Sequence, residues 1–208
     1  MKIWVTGVED PLTLRVANIL ERTHEIVTSD ASVDLREPQQ VGPLAAEVEA
    51  ILHSAVAHGG STTDEGILDR SARGAYVILN EAVKAGVGRA VLISSLSCFE
   101  DYPANYVVDE TWRPMPRPEA ASLAPLMAER TFREFARQES INVICLRFGE
   151  IDAPEGTPWD LALEAIERAL TMTIEDGSYR WWLFHVADSD RYPPRAAKEA
   201  PLSLGGKS

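Results

Sequence analysis

The sequence predicts an α/β domain built on a doubly wound parallel sheet with helices on both faces. Three observations predict it. Short apolar runs alternate with longer amphipathic stretches along the whole chain. The apolar character of the short runs is continuous rather than alternating, as in strands buried on both faces. The 208 residues are enough for one compact domain with a sizeable core.

The elements follow in order. Residues 2–6 (KIWVT) are the first strand, broken by Gly7. Asp10-Pro11 reads as an N-cap followed by proline at the first helical position, opening a helix to about Arg22. Residues 24–29 are the second strand, ending at Asp30, and a very short third strand is expected at Ala31–Asp34. A short helix within 37–47 precedes a strongly apolar strand at 49–56. A long helix over 64–86 carries Leu68, Ala72, Ala75, Leu79 and Ala82 on one stripe. The strand 88–95 leads into a proline-rich loop from Cys98 to Glu119. The next helix, 122–138, places Pro125 in its first turn, where amide hydrogens have no helical partner to lose. A strand at 141–148, a helix at 158–171 and a strand at 179–186 complete a Rossmann-type alternation. The last dozen residues are polar and expected to be loose.

Composition removes several function classes. The net charge of −12 repels nucleic acid, and the densest basic stretch, 191–198, is short and broken by prolines. No run approaches the roughly 20 apolar residues that span a bilayer, so no membrane partner is expected. The N-terminus enters a strand directly and shows no secretory pattern, which makes a cytoplasmic location the default. Cys98 and Cys145 suggest no disulfide framework. His24, His53, His58 and His185 lack metal-ligand spacing, so no metal site is expected. His53 is read as packing near the edge of the sheet. Trp181 and Trp182 are adjacent on a strand, so one ring points to each face.

Ligands of doubly wound sheets bind at the carboxyl ends of the strands. Thr6-Gly7 begins a phosphate-binding turn, or simply ends the strand. Asp30 lies 23 residues beyond Gly7, where a carboxylate can accept from an adenosine ribose and disfavour a 2′-phosphate, or stand as a solvated loop acid.

Seven segments in order carry a resemblance to a known family. They are VTG (5–7), ILERTHEIV (19–27), VDLREPQQV (33–41), VEAILHSAV (48–56), ILNEAVKAGVGRAVLISSLSCF (78–99), ERTFREFARQESINVICLRFGEI (129–151) and FHVADSDR (184–191). Together they resemble the NAD-dependent epimerases and dehydratases, the extended short-chain dehydrogenase/reductases. The resemblance implies NAD at Gly7 and Asp30, with Asp34 and Leu35 beside the adenine. It implies Ser95 as the catalytic serine and Arg147 at the substrate loop. It also implies a sugar or sugar-nucleotide ligand and a homodimer built on the two long helices. The family's C-terminal lobe is reduced here, and 150–208 reads as a rudimentary substrate lobe with a loose tail.

The departures bear on function. The family's Thr-Gly-x-x-Gly-x-x-Gly turn reads Thr6-Gly7-Val8-Glu9-Asp10-Pro11-Leu12-Thr13. Asp10 caps its own helix and stands where a phosphate would sit, so NAD binding is expected to be weak or lost. The catalytic tyrosine and lysine positions fall on Ala121 and Pro125, the helix asparagine on Ser71, and no lysine occurs between Lys84 and Lys198. An unperturbed phenol titrates near 10 and needs a nearby cation to work at neutral pH. Without those partners Ser95 reads as a hydroxyl that closes a strand end, and Arg147 as one half of a structural ion pair. The leading expectation is a catalytically degenerate member with a binding, regulatory or structural role. The alternative is an active sugar oxidoreductase, epimerase or dehydratase using other residues. For the dimer, Leu123, Leu126, Met127, Ile67, Gly74 and Ile78 are expected to form a second apolar face. The alternative is a monomer in which the 98–119 loop covers them.

Overall fold

The computed structural model describes residues 1–56, 63–174 and 180–193. Six strands form one wholly parallel sheet: β1 (Lys2–Thr6), β2 (Glu25–Ser29), β3 (Ala50–Ser54), β4 (Arg89–Ser95), β5 (Asn142–Phe148) and β6 (Trp181–Val186). Their order is β2-β1-β3-β4-β5-β6, so the direction of winding reverses beside β1.

Among the described residues six α-helices cover the sheet: α1 (Pro11–Leu20), α2 (Pro38–Ala45), α3 (Asp64–Asp69), α4 (Ala75–Ala85), α5 (Ala120–Arg137) and α6 (Trp159–Thr171). The strand period of two sends alternate residues to opposite faces. Ile3 and Val5 pack with Val16 and Leu20 of α1 and Ile166 of α6. Trp4 packs with Val41 of α2, Ile78 of α4 and Phe132 of α5. Trp182 joins the first layer and Trp181 the second, as alternation requires. The described part of 150–208 supplies α6 and β6 to this sheet. His58 and the last dozen residues lie outside the described residues.

Four local expectations are corrected. No strand forms at 31–34. Asp30 accepts from the Ser32 amide at 2.9 Å and hydroxyl at 2.5 Å, and the Val33 amide bonds back to the Asp30 carbonyl at 3.1 Å. These side-chain and turn bonds outcompete a ladder. The helix over 64–86 is interrupted by a π-helical turn at Arg70–Gly74, which joins α3 to α4. Helix α5 begins at Ala120, two residues early, so Pro125 sits in its second turn. The Ala121 carbonyl thereby loses its helical donor, and Ala121 is exposed, so water can serve it. Ile78 does not belong to a second outer face: it is fully buried under the sheet, and Gly74 is buried against Leu35. Ile67, Leu123, Leu126 and Met127 are half-buried.

Candidate functional site

The carboxyl ends of β1, β2 and β3 meet at the first turn. Gly7 has φ of 73°, a left-handed conformation that glycine adopts without strain. Its amide and that of Val8 donate to the Ser29 carbonyl at 2.8 and 3.2 Å, tying the turn to β2. The N-terminus of α1 is then closed from within. One Asp10 carboxylate oxygen accepts the amides of Leu12 at 2.9 Å and Thr13 at 3.3 Å, and Pro11 fills the first helical position. These are the amides and the positive helix end that would otherwise receive a phosphate. Thr13 is fully buried, and its hydroxyl donates to the carbonyls of Gly7 and Asp10. Strand and helix are tied together here by a threonine that bonds inward.

The second wall of this corner is held by ion pairs. Arg36 grips Asp34 through two bonds of 2.8 Å and reaches Asp69 at 3.0 Å. The Arg36 hydrogen bonds hold the Asp34 carboxyl down at about 2. The π turn directs Arg70 toward Glu9, 3.9 Å away, with the Arg70 side chain only 10% exposed. Leu35 is buried in the core rather than presented to a ligand. Asp30 is exposed, and its bonds from Ser32 keep its carboxyl below the usual range. Gly7, Asp30 and Asp34 therefore border one corner, with every carboxylate engaged by the chain itself.

His53 is corrected to the middle of the sheet. It is buried on β3, with Nδ1 2.7 Å from the Thr6 hydroxyl and its ring stacked on Phe132 at 5.6 Å. Burial, reinforced by the Arg70 charge, pushes it down to about 3, so it is neutral at pH 7. The signal was available: 2–6 and 49–56 each hold an unbroken apolar run, 3–5 and 50–52, which marks central strands.

A second polar group lies beneath β4 and β5. Arg147, 3% exposed, donates to both Glu129 carboxylate oxygens at 2.6 and 2.8 Å, and Ser94 donates to the same carboxylate at 2.6 Å. His185 Nε2 stands 3.3 Å from the Arg147 guanidinium. Burial, then that positive charge, pushes His185 down to about 3. Arg147 is thus the buried half of an ion pair. Ser95 closes β4: its Oγ accepts from the Ser97 amide at 3.0 Å and meets the Ser97 hydroxyl at 2.9 Å, capping a 3₁₀ turn over Leu96–Phe99. Ala121 and Pro125 lie on the first two turns of α5, and Ser71 is buried in the π turn. Among the described residues no cluster of metal-ligating side chains is present.

Beyond β6, a groove of about 970 Å³ opens between the 104–107 loop, the start of α6 and the 185–191 segment. Glu155, Glu164, Asp188 and Asp190 border it. The Arg191 guanidinium donates to the carbonyls of Phe99 and Tyr102 at 3.0 and 2.9 Å, fastening the 98–119 loop to this side. No described helix is long and apolar enough to cross a membrane.

Residues 14–189 match the model of the NAD dependent epimerase/dehydratase family. No curated protein matches the chain. Several solved structures share its fold. A mutated uronate dehydrogenase superimposes with a TM-score of 0.74 at 20% identity, over 92% of this chain and 76% of its own. UDP-glucose 4-epimerase from Thermotoga maritima, solved with UDP-glucose, gives 0.73 at 15% identity, over 90% and 77%. Glucuronic acid dehydrogenase from Chromohalobacter salexigens gives 0.71 at 18% identity, over 92% and 78%.

Proposed function

The chain belongs to the NAD-dependent epimerase/dehydratase family, and on that premise we propose that it has kept the fold and given up the reaction, serving a binding, regulatory or structural role. The observation that carries this reading is the Asp10 carboxylate on the α1 amides. A dinucleotide pyrophosphate does not fit a helix end that already holds an anion. Two phosphate charges would face Asp10, with Glu9 alongside. At about 4–5 Å and an effective dielectric near 20, one such repulsion costs roughly 3–4 kcal/mol. The second support is the lack of any lysine between Lys84 and Lys198, which leaves no tyrosine–lysine pair on α5. The ligand of this reading is a sugar held in the groove beyond β6, where Glu155, Glu164, Asp188 and Asp190 can accept from its hydroxyls. That groove also supports the alternative, an active sugar oxidoreductase or epimerase working with other residues.

Calorimetry and an absorbance assay test the proposal together. NAD is expected to bind more weakly than micromolar, and NADP more weakly still because Asp30 would meet the 2′-phosphate. No reduced nicotinamide should form across a panel of sugars and sugar nucleotides. Asp10→Asn keeps a capping oxygen but removes the charge, so it should tighten NAD by about a hundredfold or more. Micromolar binding by the unaltered chain, or turnover that vanishes in Ser95→Ala, defeats the reading.

The proposal includes a two-fold homodimer through α4 and α5, in which one patch meets itself. Tyr76 of α4, 53% exposed, makes an edge contact with Phe135 of α5 on the outside of both helices. Light scattering should return twice the 22.9 kDa of one chain, and Tyr76→Glu should halve the mass without unfolding. A mass of one chain at tens of micromolar would remove the dimer.

A further inference from the structure

A second cleft, of about 370 Å³, lies between α5, the early part of β6 and the 110–114 loop. It is four strand spacings, roughly 19 Å, from the Gly7 turn. Arg113, Arg130 and Arg133 line it, with Arg147 behind them. Arg130 and Arg133 are three apart on α5 and so share a face.

The arginines of this chain mostly find partners. Arg36, Arg70, Arg73, Arg117, Arg137 and Arg168 each pair with a carboxylate. Arg89 and Arg191 donate to backbone carbonyls. Arg113, Arg130 and Arg133 make no ion pair and no side-chain hydrogen bond among the described residues, although 32 acidic residues compete for 20 basic ones. The two carboxylates in the cleft are already engaged. Glu129 is held by Arg147 and Ser94, and Glu110 accepts the His185 amide at 3.1 Å. Three free guanidinium groups converging in a chain of net charge −12 oppose one another unless an anion joins them. Trp112 and Trp181, both half-buried, supply flat apolar walls.

We propose that this cleft is a binding site for a small phosphate monoester, with a flat ring seated against the indoles. A guanidinium offers paired N–H donors that match two phosphate oxygens, and two or three of them neutralise a dianion. The indoles receive a planar group at little conformational cost. The site is independent of the nucleotide turn and of whether the chain catalyses anything.

Adenosine monophosphate is the probe, with calorimetry as the readout. It should bind saturably, and adenosine should bind at least about tenfold more weakly. Arg130→Gln with Arg133→Gln should weaken the monophosphate by about tenfold or more. Both residues are exposed, so the protein should keep its unfolding midpoint. Arg137→Gln, on the same helix but outside the cleft, should leave affinity unchanged. An affinity that survives Arg130→Gln with Arg133→Gln would place the monophosphate elsewhere and overturn the assignment. Absence of saturable binding, equal affinity for adenosine, or an equal loss in Arg137→Gln would each overturn it too.

Discussion

Between pH 7 and pH 5 the urea midpoint of unfolding is expected to fall by roughly 1–2 M. The cause is the pair of buried imidazoles. His53 and His185 are pushed down to about 3 in the folded chain, by burial first and then by the charges of Arg70 and Arg147. In the unfolded chain both titrate near 6.5. Below that pH the unfolded state takes up protons that the folded state refuses. Stability is therefore complete above about 6.5 and is lost as pH falls toward 3. By pH 5 the two groups together remove about 4 kcal/mol. Asp34 acts in the same direction only lower, because its carboxyl is held at about 2 and its contribution fades below the ordinary range near 4. Urea titrations at pH 7, 6 and 5 measure the effect, and His53→Gln should remove about half of the slope. A midpoint that stays level from pH 7 to 5 would mean that the imidazoles are not buried as described.

Glu129→Ala is expected to cost about 3–5 kcal/mol at pH 7. Arg147 is 3% exposed and cannot turn to water when its partner is removed. Its remaining hydrogen-bonding neighbour is a neutral His185, which offers one weak acceptor. Ser94 would lose its acceptor as well. The penalty belongs to the stranded cation, not to the pair itself. Replacing both partners, Glu129→Leu with Arg147→Met, should accordingly recover most of the loss. Denaturant unfolding of the single and double variants separates these outcomes. A single variant within about 1 kcal/mol of the parent would show that water reaches Arg147.

Much of the fold was legible because continuous apolar strands and capped helices leave local marks. Asp10-Pro11 announced both the start of α1 and the closed phosphate turn, and the structure bears out the cap. Ser95 was legible as a strand-closing hydroxyl, and Arg147 as half of an ion pair. What was missed depends on partners distant in sequence. Glu129 reaches Arg147 across 18 residues, and Thr6 reaches His53 across 47. No periodicity encodes such meetings. The strand expected at 31–34 failed for the opposite reason: a strictly local competitor, Asp30 with Ser32, outweighed a weak apolar pattern. Ile78 was placed outward because α4 is apolar on more than one side, and the sheet together with α2 and α5 buries that surplus.

The missing strand also governs how molecules of this protein meet at high concentration. With nothing paired at 31–34, β2 is one margin of the sheet. Among the described residues one side of its backbone faces no neighbouring strand, and such an edge can recruit a strand from another chain. Two features work against that. The strand is only five residues long, and the chain turns sharply away at Asp30. Glu25, at its beginning, is exposed and carries charge to the rim beside Lys2. Brevity and charge guard this open border against edge-to-edge aggregation.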